Sequence, residues 1–480
     1  MSVLKRIVTA LILPLLFAAA LYSQEEGRYP RGAILDEEAY SALPRKAPLT
    51  AWAYENLPEM FSLKQYAPQP GDQADYRTCV AWASAYGART ISESVALNRM
   101  NRVETTQNAF SPVYVYRRIQ PDDPECVRGA QIYWALDLMK ASGAVKMLDL
   151  ERATDFHLVQ LSSYNGSRKY PIADYVTLFS REERGKPALV TRLVKKSLVE
   201  GKPVIIGMNT PESFLEAKGV WRPLESPGIY YGGHAMCVVG YDDKKDGGAF
   251  EVLNSWGRKW GNGGFIWIPY KVFVDFVMES YEMVENLAAY TNTVEFAGFA
   301  SLEITEGSRR NTAPLTARSP GVYQSAEVLG KGTQFSFTIG SSKSAYVYAF
   351  TASQSAETDT GMEAGDFFSP VLLFPQAGLS PLLNYSDSVI NLPGGDKTLM
   401  LDSEAGTEYL IVLYAKQTLD IRTIMRRFEN AEGGVSQRLE GAVGKNLLTG
   451  LDYSEKNAVF SAETDNRRAV AALVLAIDHR

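Results

Sequence analysis

The stretch "GGHAMCVVGYDDKKDGGAFEVLNSWGRKWGNGGF", Gly232 to Phe265, carries short apolar runs cut by glycine and aspartate turns. With "KPVIIGM" upstream and "GGFIWIPY" at its end, it predicts a set of strands. His234 opens one run, beside small residues that leave its ring accessible. Asn254 closes the next, where its side chain can accept a hydrogen bond from one ring nitrogen. Such a bond fixes the tautomer and orientation of an imidazole. Trp256 follows two residues later and can shield the bond from water. An accessible, oriented imidazole calls for a nucleophile elsewhere in the chain.

Three cysteines are available: Cys79, Cys126 and Cys237. An odd count leaves at least one free thiol in a monomer. Cys79 lies in "GDQADYRTCVAWASAYGA", Gly71 to Ala88, directly after Thr78, a natural N-cap residue type. The run from Cys79 to Met100 is expected to be a helix. A helix N-terminus and a nearby imidazolium both stabilise a thiolate. A glutamine, Gln73, stands six positions upstream. Cys237, on the His234 strand, reads as a core residue. The other two histidines do not compete: His157 reads as a surface or loop residue, and His479, next to last in the chain, is expected to fray.

These blocks resemble the papain-like cysteine peptidases, in a bacterial form. "HAMCVVGYD" and "FEVLNSWGRKWGNGGF" look like the family's His and Asn blocks, and Gln73-x5-Cys79 like its oxyanion glutamine and nucleophile. "LPEMFSLKQY" resembles the start of the mature domain, and "CVRGAQIYWALDLMKASGAV" the Cys-Asn-Gly-Gly segment with its following helix. The resemblance implies Cys79 as nucleophile, His234 as its ion-pair partner and later acid, and Asn254 as the residue orienting His234. It implies Gln73 and the Cys79 backbone N–H as the oxyanion hole, with Gly129 and Gly233 binding substrate. No cofactor and no metal follow from it. The implied fold is α+β: a helical lobe on a β-barrel-like lobe over residues 57–290, with the cleft between them.

The sequence departs from the family in places. Val80 follows the nucleophile and Trp82 comes two later, where the family has Cys-Trp. The thiol that would bridge to the Cys126 segment falls at Tyr76, so that disulfide is not expected. Arg128 replaces the first glycine of the expected pair, leaving Gly129.

At 480 residues, two or more domains are expected. "MSVLKRIVTALILPLLFAAALYSQEEG" has a basic start and an apolar run too short for a comfortable span, the pattern of a secretory signal peptide over 1–23. The expectation is an extracytoplasmic protein, secreted, periplasmic or on the cell surface, with no stable membrane span after cleavage. Residues 24–56 read as a linker or short pro-segment. From 300 to 480, runs such as "TQFSFTIG", "SAYVYAF" and "EYLIVLYA" predict a β-rich, sandwich-like accessory domain ending in a hairpin. It resembles a bacterial domain of unknown function, and its partner is unknown. A net charge of −6 with no long basic block argues against a nucleic-acid binder. The expected activity is hydrolysis of protein or peptide substrates. Alternatives are an aminopeptidase or transpeptidase of the same chemistry, or a non-catalytic binding protein on a peptidase fold.

Overall fold

The computed structural model describes residues 29–150, 166–286, 291–307, 309–355, 368–395, 397–401 and 405–480. The expected signal peptide and His157 lie outside the described residues. The chain divides into two compact units. One joins the residues up to Leu43 with Leu57–Asn286, and the other joins Pro44–Asn56 with Leu287–Arg480. The stretch 24–56, read from sequence as one linker or pro-segment, is thus shared between the two.

In the first unit a mixed α/β arrangement surrounds one antiparallel sheet. Its order is Asp174–Thr177, Val277–Val284, Val204–Asn209, Gly233–Asp242, Ala249–Leu253 and Phe265–Pro269, with Met60–Ser62 paired onto Gly233–Asp242. Val204–Asn209 is buried along its whole length, which is why its sequence is a continuous apolar run rather than an alternating one. Helix Pro187–Val199 buries Val190, Leu193, Val194 and Leu198, the face its spacing predicts. Cys237 pairs with Leu253, and this register delivers Asn254 to the strand end that carries His234.

The nucleophile helix runs over 79–96 and is not uniform. Cys79–Ala81 is α, Trp82–Arg89 is wound as a π-helix, and Thr90–Ala96 returns to α. Such π segments cost regular hydrogen bonding and recur at functional sites. Gly87 lets the helix approach the His234 strand, since a Cβ there would sit 3.3 Å from Cys237 Cβ. Cys237 is therefore the packing residue expected. Thr78 does not cap: its side chain bonds no helix N–H and its hydroxyl is buried without a partner.

The second unit is a two-sheet sandwich. One sheet runs Leu315–Ser319, Val322–Ser325, Val470–His479, Gly406–Ala415, Ala345–Ser355, Ser369–Phe374. The other runs Ser388–Leu392, Gln334–Ser341, Val294–Glu306, Val459–Thr464, Asp452–Tyr453. Alternate residues of facing strands, Leu410, Val412 and Tyr414 from one and Phe335, Phe337 and Ile339 from the other, meet in one core. The last two strands do not form the expected hairpin, because Val459–Thr464 and Val470–His479 join different sheets. His479 does not fray either; it is buried and paired with Gly406. Helices Ile421–Asn430 and Val435–Val443 lie beyond the first sheet, where Phe428 meets Phe350 edge-on at 5.5 Å. Residues 45–50 belong to this unit: Arg45 pairs with Leu379, Lys46 Nζ donates to Asn384 Oδ1 at 2.5 Å, and Thr50 N donates to Val389 O.

Candidate active site

His234 is fully buried, and its Nε2 donates to Asn254 Oδ1 at 2.7 Å. Asn254 Oδ1 also accepts from Ser255 N at 2.7 Å, which settles which end of the carboxamide faces the ring. With the proton on Nε2, Nδ1 is the basic nitrogen, and it has no hydrogen-bond partner. Trp256 stacks on the imidazole at 4.3 Å and 25°, covering the bond as its position suggested. Phe214 and Trp260 in turn pack on Trp256 at 5.8 and 5.3 Å.

Cys79 Sγ lies at the neighbouring residue, accepting from Ala235 N at 3.5 Å. Gln73 is held by Ser255 from two directions. Its backbone N donates to Ser255 O at 2.8 Å, and its side-chain Oε1 accepts from Ser255 Oγ at 2.6 Å. The second bond fixes the amide end, so Nε2 points away from Ser255. Gly257 makes this stitching possible: at φ +74°, it brings its N–H to Gly71 O at 2.9 Å, and a Cβ there would meet Asp72 Oδ2 at 2.6 Å. Ser255 has a positioning role the sequence reading missed. Its only signal was its place between Asn254 and Trp256.

A strap from the N-terminal segment passes over these groups. Gln73 Nε2 donates to Pro30 O at 3.0 Å, as well as to Tyr76 O at 2.8 Å. Ala33 N donates to Gly233 O, Ile34 N to Ala130 O, and Ala130 N back to Gly32 O. Both expected substrate-binding glycines border the strap. A Cβ at Gly129 would lie 2.3 Å from Gly32 O, and one at Gly233 would lie 2.1 Å from Ala33 O. Ala130, which makes the ladder bonds on that side, was not foreseen. Beyond the strap, helix Glu37–Ala42 is anchored by Tyr40, whose hydroxyl donates to Phe179 O at 2.6 Å.

Enclosure changes the electrostatics. Burial pushes the Cys79 thiol up to about 11, against donation from the Ala235 and Gly32 backbone N–H groups. Burial holds the His234 imidazole down to about 4, with the Asn254 bond opposing and the Arg31 charge adding to the effect. Burial thus favours the neutral form of both groups. All three cysteines are free and buried; Cys126 takes φ +56°. Among the described residues, no cluster of histidine, cysteine and carboxylate side chains could hold a metal, and no helix is long and apolar enough to cross a membrane.

The site thus holds an imidazole fixed by a carboxamide and, at the next residue of the strand, a thiol from a helix start. Residues 160–284 match the family described as "Papain family cysteine protease". The chain thus carries a papain-like peptidase domain, followed by a β-rich one. The matched span contains His234 and Asn254, while Gln73 and Cys79 lie outside it, so their assignment rests on geometry. One curated relative is 36% identical over 100 residues, the "Uncharacterized peptidase C1-like protein L477" of Acanthamoeba polyphaga mimivirus. The alignment covers 20% of this chain and 29% of that protein's length. Among solved structures, xylellain from Xylella fastidiosa is 20% identical with a TM-score of 0.41, covering 54% of this chain and 97% of its own. Trypanosoma congolense proCathepsin B S9 is 18% identical with a TM-score of 0.43, covering 55% and 88%.

Proposed function

We propose that this protein is an extracytoplasmic cysteine peptidase that hydrolyses protein or peptide substrates through Cys79, His234, Asn254 and Gln73. The observation that carries the reading is the His234 Nε2–Asn254 Oδ1 bond, which leaves Nδ1 as the basic nitrogen, while the Cys79 thiol accepts from the N–H of the next residue, Ala235. In the reaction, Nδ1 takes the thiol proton and Cys79 Sγ attacks the substrate carbonyl carbon. The oxygen turns negative at the place Pro30 O now holds against Gln73 Nε2. The imidazolium gives its proton to the leaving amine, and water hydrolyses the thioester with His234 again as base.

The strap occupies this place, so residues 29–43 act as the pro-segment and must leave before substrate enters. Leaving also returns water to the thiol and imidazole, which removes the main cause of both pKa shifts. The apolar N-terminal run is the support for export.

The test is labelling of the full chain with a thiol-reactive epoxide before and after limited proteolysis of the strap, with the adduct located by mass spectrometry, beside hydrolysis of casein by the proteolysed wild type and Cys79→Ala. The expected result is an adduct on Cys79 and no hydrolysis by the variant. Casein cleavage by Cys79→Ala at the wild-type rate would overturn the assignment.

A further inference from the structure

The strap shows more than that the cleft can be filled. Arg31 follows Pro30, the residue whose carbonyl Gln73 holds, and its guanidinium enters a seat built for a cation. Nη1 donates to Thr210 O at 2.7 Å and to Tyr231 O at 2.9 Å, while Nη2 meets Glu212 Oε1 at 2.5 Å.

The acceptors are pre-positioned by the peptidase unit itself. Thr210 is fully buried and its N–H donates to Gly232 O. Asn209 ties the two carbonyl-bearing loops together: Nδ2 donates to Ile229 O at 2.6 Å, and Oδ1 accepts from Tyr231 N at 2.8 Å. Gly232, at φ +129°, leaves room for the Arg31 stem, since a Cβ there would lie 3.1 Å from Arg31 Cδ. None of these groups belongs to the strap, so the seat persists when the strap departs. Two carbonyl oxygens and one carboxylate converge on this guanidinium, a set of acceptors that a guanidinium or ammonium satisfies.

We infer that this seat selects substrates carrying an arginine or lysine next to the bond under attack, with Glu212 as the specificity-determining residue. The inference rests on the peptidase reading above. A substrate whose reacting carbonyl replaces Pro30 O brings its adjoining side chain to Glu212, as Arg31 is brought now. Glu212 is mostly exposed, so its ion pair alone would be weak. The two fixed carbonyl oxygens supply the remaining discrimination.

The experiment uses the full chain carrying Arg31→Ala, which empties the seat, and the same chain with Glu212→Gln added. Both digest a mixed peptide library, cleavage sites are read by mass spectrometry, and both are labelled with the epoxide. The expected result is enrichment of arginine and lysine beside the cut by about ten- to a hundredfold, the effect of charge-assisted hydrogen bonds. Glu212→Gln should lower it by about two- to fivefold, the share of one exposed ion pair. Cys79 labelled without basic-flanked cuts, or enrichment unchanged by Glu212→Gln, overturns the seat and leaves the peptidase reading standing. No cuts and no label on Cys79, even after limited proteolysis of the strap, would sink both.

Discussion

Gln73 shows how much one side chain can depend on its neighbour. Its amide donor faces a carbonyl oxygen only because Ser255 Oγ holds the other end of the carboxamide. Losing an oxyanion donor costs about 10²–10³ in kcat. Gln73→Ala should therefore lower kcat by about that factor with little change in KM, and steady-state kinetics on one fluorogenic peptide reads it. Ser255→Ala removes a neutral hydrogen bond rather than the donor, so kcat should fall about five- to tenfold. Labelling of Cys79 should persist in both variants. A Ser255→Ala enzyme with unchanged kcat would show that the amide is held without the hydroxyl.

The strap is the element on which access turns. Gly32 can lie in the cleft because it has no Cβ; one would fall 2.1 Å from Arg77 O, a backbone atom that cannot step aside cheaply. Gly32→Ala should loosen the strap, and the epoxide should then label Cys79 faster in the full chain than in wild type. With the thiol at about 11, roughly 10⁻⁴ of it is ionised at pH 7, so wild-type labelling should climb with pH well past neutrality. Gly32→Ala should reach its maximal rate at lower pH. Equal rates and profiles would contradict the strap's shielding role.

The same strap ends on Glu279, whose Oε1 accepts from Asp36 N at 3.1 Å and whose Oε2 accepts from Tyr281 Oη at 2.9 Å. Burial raises this carboxyl to about 7, with those two hydrogen bonds opposing. Unfolded, it ionises near 4.5, so below that pH both states hold the proton and nothing differs. Between 4.5 and 7 the unfolded chain loses the proton first. Stability of this unit should then fall with rising pH, by up to about 3 kcal/mol above pH 7. Six of the seven tryptophans lie in this unit, so fluorescence-detected denaturation reports on it. Glu279→Gln should flatten the slope across that window.

At the scale of the whole molecule, the chain leaves the peptidase unit after Leu43, enters the β-rich unit, and returns at Leu57 before leaving finally after Asn286. The residue sequence between strap and catalytic helix is thus built into the sandwich: Ala47 is in its core, and Lys46 lies over the Tyr385 ring at 3.4 Å. A chain ending at residue 286 keeps Gln73, Cys79, His234 and Asn254 but leaves 44–56 without its partners. We expect that truncation to retain epoxide labelling at Cys79 while limited proteolysis cuts within 44–56. Protection of 44–56 equal to that in the full chain would contradict this.

Local pattern was enough to read several features. The runs around His234 and Asn254 are strands because their apolar residues are bounded by turn formers. The helix after Cys79 and the face of Pro187–Val199 follow from spacing, since neighbours three and four apart share a side. What lay beyond it depended on contacts between residues distant in the chain. Thr78 has a capping side chain, yet the buried start of its helix gives that hydroxyl no partner. The final two strands look like a hairpin, yet each pairs in a different sheet. Ser255 orients Gln73 across 182 positions. The strap's "YPRGAILDEE" is an unremarkable polar-apolar mixture until the fold lays it between Gly129 and Gly233. The thiol and imidazole have ordinary chemistry in sequence, and their burial in the fold pushes the thiol up and the imidazole down, because the cost of removing charge from water belongs to the assembled fold.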